Sequence, residues 1–142
     1  MKVYLSDILK DIQVQQIQGP VNVHLSGIGF DSRKVVAGTL FIAVKGTQSD
    51  GHEFIESAIQ SGAPAIVCEH MPAATSPNVT YIVVKDAAYA LAILASAFYG
   101  HPSRKFKLGG ITGTNGKTTT VTLLYRLFNA LGYKSGCFTT IR

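Results

Sequence analysis

Apolar positions recur along this chain with two different periods. Thr39–Val44, Ala65–Cys68 and Val79–Val84 are short, dense apolar runs rich in β-branched residues, and they read as strands, the first two buried. Between them the spacing changes. Phe54, Ile55, Ala58 and Ile59 share one face of a helix predicted from about His52 to Ser61, with Gly62 as its stop. Asp86 is placed to cap an Ala-rich helix running to Tyr99, ended by Gly100 and Pro102. Val121, Leu124, Leu127, Phe128 and Leu131 line one face of a third helix, Lys117–Leu131, ended by Gly132. Near the start, Ser6 is expected to cap a short helix reaching Ile12, and strands Val14–Gln18 and Asn22–Phe30 flank the Gly19-Pro20 turn. Strands alternating with helices predict the α/β class.

A domain boundary is expected at His101-Pro102-Ser103-Arg104-Lys105, where a helix stop, a proline and a charge cluster coincide. This gives a first domain over residues 1–103 and a second over 104–142. The second reads as strand Phe106–Ile111, a glycine-bearing loop Gly113–Gly116, the helix from Lys117, and the beginning of a strand at Lys134–Thr140. A strand–loop–helix–strand piece cannot close a core by itself, so the second domain is expected to be truncated.

Composition narrows the partners. Hydrophobic residues make up 46% and charged residues 15%, enough apolar material for a packed core. The net charge of +5 raises nucleic acid as a partner. The one dense basic cluster, Arg104, Lys105 and Lys107, holds a single aromatic residue, Phe106, and not the series a stacking platform needs, so it reads as a solvated linker and no nucleic-acid partner is expected. The longest apolar stretch, Ala87–Phe98, is interrupted by Tyr89 and Ser96 and falls short of the roughly 20 residues a membrane span needs, so no membrane association is expected. The first residues lack the apolar core of a secretory signal. Cys68 and Cys137 lie in apolar, strand-like runs with no metal-ligand spacing, the usage of a reducing cytosol, and the protein is expected to be cytoplasmic. His24, His70 and His101 have no metal-like companions, and His52 reads as a helix-start residue rather than a catalyst. Tyr89, Phe98, Tyr99 and Phe128 are expected in the core.

The strongest local signal is Gly110-Ile111-Thr112-Gly113-Thr114-Asn115-Gly116-Lys117-Thr118-Thr119-Thr120, placed between a strand-like run and a helix. Glycines let backbone N–H groups curl around phosphate oxygens, and the following helix N-terminus adds about half a positive charge. In that setting Lys117 reaches the β- and γ-phosphates and the Thr118 hydroxyl meets Mg²⁺. The strict phosphate-loop pattern has glycine six residues before the lysine. That position is Ile111, with Gly110 one residue early and Gly113 four residues before.

The variant Thr-Gly-Thr-Asn-Gly-Lys-Thr-Thr resembles the ATP loop of the Mur ligases and their folylpolyglutamate synthetase relatives. A second match separates these. Phe30-Asp31-Ser32-Arg33-Lys34-Val35, then Gly38-Thr39-Leu40-Phe41-Ile42-Ala43-Val44-Lys45-Gly46, then Asp50-Gly51-His52-Glu53-Phe54-Ile55 resemble the UDP-binding N-terminal domain of the Mur ligases that add the third and fourth peptide residues. The Thr114-Asn115 pair resembles the third-residue enzymes. The resemblance implies a three-layer α/β domain binding the UDP-sugar, followed by the start of an ATPase domain. It implies ATP and Mg²⁺ as cofactors, and phosphorylation of the D-glutamyl carboxylate of UDP-N-acetylmuramoyl-L-alanyl-D-glutamate to an acyl phosphate. A diamino acid, meso-diaminopimelate or L-lysine, then attacks it in peptidoglycan biosynthesis. Phe30 and Ser32 match positions contacting UDP, and Thr47, Gln48 and Ser49 match the loop that closes over the nucleotide, although relatives often carry His where Thr47 stands. Gly113, Thr114, Asn115, Gly116, Lys117, Thr118 and Thr119 match the ATP loop, with Lys117 as the catalytic counter-charge and Thr118 as metal ligand. No obligate protein partner is implied, and this stretch alone is expected to be inactive. Two alternatives stay open: a fourth-residue ligase adding D-alanyl-D-alanine, and a non-catalytic phosphate-loop module.

Overall fold

The computed structural model describes residues 3–47 and 49–139. Four strands, β4 (Gly27–Gly29), β5 (Thr39–Ile42), β6 (Ala65–Cys68) and β7 (Thr80–Val83), lie side by side and parallel. β2 (Gln16–Gln18) adds antiparallel to β7, giving the order β2-β7-β6-β5-β4. A separate two-stranded ribbon joins β1 (Val3–Tyr4) to β3 (His24–Leu25). Helices α1 (Leu5–Ile8), α2 (Ile55–Gln60), α3 (Ala87–Phe98) and α4 (Lys117–Ala130) complete the elements. The chain divides into two compact units, Met1–Lys105 and Phe106–Arg142.

In the first unit, side chains of a strand point alternately to opposite faces, and here both faces are covered. Leu40, Ile42, Ala65, Val67 and Ile82 enter one core with Leu5, Ile8, Ala90 and Leu94 of α1 and α3. Phe41, Ala43, Ile66, Cys68 and Tyr81 enter the other with Ile55 and Ala58 of α2. The result is the expected three-layer α/β arrangement. The central strands read as continuous apolar runs because both faces are dry. The buried Tyr81 hydroxyl accepts a hydrogen bond from the Ser76 N–H at 2.9 Å, and Thr80 Oγ1 donates to the Pro20 carbonyl at 2.6 Å.

Asp86 caps α3 as expected, its Oδ1 accepting from the Tyr89 N–H at 2.8 Å. α2, α3 and α4 all end in the same two-bond closure at Gly62, Gly100 and Gly132, in which the amide after the glycine reaches back to the carbonyl five residues earlier. His101, the residue after Gly100, itself adopts φ +52°.

Several expectations are corrected. Ser6 does not cap α1. Tyr4 precedes the helix without a side-chain cap, and α1 gives way at Leu9 to a 3-10 turn through Asp11. The predicted strand Asn22–Phe30 splits into β3 and β4, because Ser26 is pinned to the turn before β5. Its N–H donates to Gly38 O and its Oγ to Ala37 O, both at 2.9 Å. The helix expected from His52 begins as a 3-10 turn, Gly51–Phe54, before α2. Tyr89 and Tyr99 are exposed, at 65% and 64%, because they lie on the solvent side of α3 opposite Ala90 and Leu94.

In the second unit α4 forms where the periodicity placed it. The strands expected at Phe106–Ile111 and Lys134–Thr140 do not form among the described residues (residue 140 lies outside them), since neither segment finds a ladder partner there. The apolar face of α4 is correspondingly uncovered. Leu124, Leu127, Phe128 and Leu131 are all exposed, and Cys137 is exposed as well, whereas Cys68 is buried in β6.

Two outcomes follow from this packing. Phe41→Ala should cost about 3–5 kcal/mol in urea unfolding, while Tyr89→Ala should stay within about 0.5 kcal/mol of the parent. Burial pushes the Cys68 thiol up to about 11, leaving almost no thiolate near neutrality. A thiol reagent at pH 8 should therefore label Cys137 on the native chain and reach Cys68 only after denaturation, as read by peptide mass mapping.

Candidate functional site

Because β4 and β5 are parallel neighbours, the loops that leave them emerge at the same edge of the sheet, the carboxyl edge where α/β folds place ligands. The first carries Phe30 and Ser32. Asp31 shapes this loop as the cap of a 3-10 turn, Ser32–Lys34, accepting from the Arg33 N–H at 3.2 Å. The same carboxylate takes the Arg33 guanidinium through two oxygens, each at 2.9 Å. That bidentate bond, helped by the backbone contact, holds the Asp31 carboxyl below its ordinary range. Phe30 is left 62% exposed at the strand end, and Ser32, half-buried, has no side-chain hydrogen bond among the described residues.

The second loop, between β5 and α2, carries Thr47 and Ser49, both exposed. Gln48 lies outside the described residues. The loop is closed by a bridge between Lys45 and Asp50 and by Gly46 N–H donating to Ser49 O at 2.9 Å. Gly51 then lies so closely against the chain just beyond β5 that a Cβ there would sit 2.6 Å from the Val44 carbonyl oxygen, and its N–H donates to that oxygen at 3.0 Å. Only glycine fits this approach.

A residue read from sequence as a mere helix start has a larger part here. His52 meets Asp50 twice, through its backbone N–H at 2.9 Å and its ring Nδ1 at 2.6 Å. Its Nε2 accepts from the Glu69 N–H at 3.0 Å, at the end of β6. Glu69 Oε1 in turn accepts from the Ala87 N–H at the head of α3, 2.9 Å away. The two bonds from His52, the backbone one foremost, lower the Asp50 carboxyl. The local Asp-Gly-His spacing was the available signal, since an aspartate two residues upstream can accept from both the backbone and the ring. The Glu69 contact, seventeen residues on, was not readable.

In the second unit Gly116 adopts φ +75° immediately before α4, and Gly113 φ +148°. The Lys117 ammonium folds back onto the carbonyls of Gly113 and Thr114, the latter at 3.2 Å. The first backbone bond of α4 is Thr120 N–H to Gly116 O, so the amides of Thr114 to Thr119 have no acceptor among the described residues. The Thr118 hydroxyl accepts from Thr139 Oγ1 at 3.1 Å. A left-handed turn, a string of free amides, a lysine and a threonine hydroxyl at one helix N-terminus suit a polyphosphate with its cation.

The chain is 53% identical over 138 residues to the UDP-N-acetylmuramoyl-L-alanyl-D-glutamate--2,6-diaminopimelate ligase of Cytophaga hutchinsonii, covering 96% of this chain and 28% of that protein. A solved structure of a ligase with the same name superposes with a TM-score of 0.70 at 26% identity, covering 93% of this chain and 26% of that one. A MurF ligase from Thermotoga maritima, solved in complex with ADP, gives 0.55 at 35% identity over 72% of this chain and 23% of that one. The chain thus spans little more than a quarter of the length of the relatives it matches. The family described as "Mur ligase family, catalytic domain" matches residues 24–99, from β3 through α3, a stretch that ends before the phosphate loop. With more than half of its residues inside that match, the chain belongs to the Mur ligase family.

Proposed function

We propose that residues 1–103 bind the uridine-diphosphate end of UDP-N-acetylmuramoyl-L-alanyl-D-glutamate and that residues 104–142 begin an ATP-binding domain. The whole protein would be a cytoplasmic ligase that adds diaminopimelate as the third peptide residue in peptidoglycan biosynthesis. The observation that carries this reading is the pair of loops, Phe30–Ser32 and Thr47–Ser49, leaving the carboxyl ends of adjacent parallel strands. The names of the relatives supply the substrate and favour the third-residue reaction with diaminopimelate over the lysine alternative.

Each group then has a physical task. Phe30, exposed at the end of β4, offers a face on which a uracil ring stacks. The free Ser32 hydroxyl and the polar Thr47, Gln48 and Ser49 supply hydrogen bonds to the nucleotide. In the second unit the amides of Gly113, Thr114, Asn115, Gly116, Lys117, Thr118 and Thr119 surround phosphate oxygens, Lys117 supplies positive charge, and Thr118 offers its hydroxyl to Mg²⁺. Bound Mg·ATP supplies the phosphoryl group that activates a carboxylate toward an amine. The preorganised amides and Lys117 offset the charge that builds on that group. This activity is proposed for the whole protein, since the chain matches 28% of the length of the Cytophaga hutchinsonii ligase.

Thermal-shift and calorimetric titrations of the chain test both halves. UDP or the UDP-muramoyl dipeptide at 100 times its Kd should stabilise the folded chain by about 2.7 kcal/mol. Phe30→Ala should weaken that binding by about 1–3 kcal/mol, the worth of one base–aromatic stack. Lys117→Ala should cost Mg·ATP binding about 1.5–3 kcal/mol and leave uridine binding unchanged. Stabilisation by Mg·ATP with no response to any uridine compound would remove the uridine assignment and leave a phosphate-loop module.

A further inference from the structure

We propose that His52 is a positioning residue for the loop after β5, fixing Thr47 and Ser49 at the carboxyl edge of the sheet by gripping Asp50 while anchored to the end of β6. The proposal rests on the uridine-site reading and assigns a role to a residue that touches no ligand in that reading.

The chemistry of the ring is set by its neighbours. The Glu69 backbone N–H can only donate, so His52 Nε2 must accept and carries no proton. The single ring proton therefore sits on Nδ1, facing Asp50 Oδ1 at 2.6 Å. That one carboxylate oxygen receives both the ring N–H and the His52 backbone N–H. Asp50 is also the residue that closes the loop against Lys45. The loop thus has two kinds of attachment. Along the chain it is tied by Gly51 lying on the Val44 backbone, where there is no room for a side chain to brace it. Among the described residues it is tied across the sheet by Asp50, through the imidazole, to Glu69, whose carboxylate continues to the head of α3. The ring is largely shielded from water, 20% exposed, which favours retention of both bonds.

Two substitutions cut this bridge at opposite ends. His52→Asn keeps an N–H near the Nδ1 position but has no atom to accept from Glu69. His52→Gln keeps an acceptor near the Nε2 position but loses the ring's bond to Asp50, leaving the backbone N–H bond in place. Isothermal titration with UDP, amide hydrogen exchange at residues 46–51 and the thermal midpoint are measured on both, beside the parent chain and Phe30→Ala. The expected result is a loss of about tenfold in UDP affinity for each His52 variant. Exchange should accelerate at Gly46 and Gly51 while the amides of β5 and β6 stay slow. Phe30→Ala should lose affinity with loop exchange unchanged. UDP affinity equal to the parent in both His52 variants, with Phe30→Ala weakened, would overturn the positioning role and leave the uridine site standing. Equal affinity with faster exchange throughout β5 and β6 would likewise overturn it, since that is the mark of a purely structural histidine. A parent chain that gives no uridine heat would take down the site reading and this proposal together.

Discussion

Burial of both faces of the β5–β6 pair is the constraint on which the first unit depends. Leu40 and Ile42 enter one core while Phe41 and Ala43 enter the other, and Ile66 and Val67 repeat the division one strand over. A register slip of one residue would exchange the contents of the two cores, pressing the Phe41 ring against α3 and leaving α2 without its largest partner. The parallel order of β4 to β7 is locked by that two-sided demand. With the order locked, the loops after β4, β5 and β6 and the head of α3 are brought to one edge. Side chains distant in sequence, such as Asp50, Glu69 and the start of α3, can then meet without any of them being long or mobile.

How much of this was legible follows from the range of the interactions. β6 was readable to the residue, and so was the α3 cap, because apolar burial and an Asp cap are written in adjacent positions. β3 and β4 were not separable, since the break at Ser26 depends on the carbonyls of Ala37 and Gly38, a turn that sequence could place but not aim. Tyr89 and Tyr99 misled because helical spacing marks a stripe without saying which side of a largely apolar helix meets the sheet. On α3 the small Ala87 and Ala90 face inward, buried in the core that the helix shares with α1. The segments around α4 failed for a different reason. An extended apolar run becomes a strand only when a neighbour supplies its hydrogen bonds, and propensity cannot report that neighbour.

The two candidate loops differ in how they are prepared. Around Gly113–Thr119 the backbone itself is the donor array, and the lysine bonds loop carbonyls. Identity there is carried by glycine and by helix position, and for that reason it was visible as a motif. Around Phe30 and Ser32, and at Thr47 and Ser49, the groups proposed to meet a ligand are ordinary side chains on loops whose placement comes from Asp31, Asp50 and Gly51. A motif reader sees such a site only by resemblance. Its physical logic appears once the strands beneath it are drawn.

The place of β2 has a consequence for the order in which the molecule can assemble. Residues 16–18 are synthesised before every other strand of the main sheet, yet their partner is β7, which spans residues 80–83. While the intervening chain emerges, this segment has no ladder to join, and its Gln-Ile-Gln sequence, exposed in the finished fold, gives it little tendency to collapse early. The strand of the main sheet made first can therefore be seated only once β7, the last made, has emerged. Completion of the sheet waits on a loop closure that spans most of the first unit, and such long-range closures are the slow steps of folding.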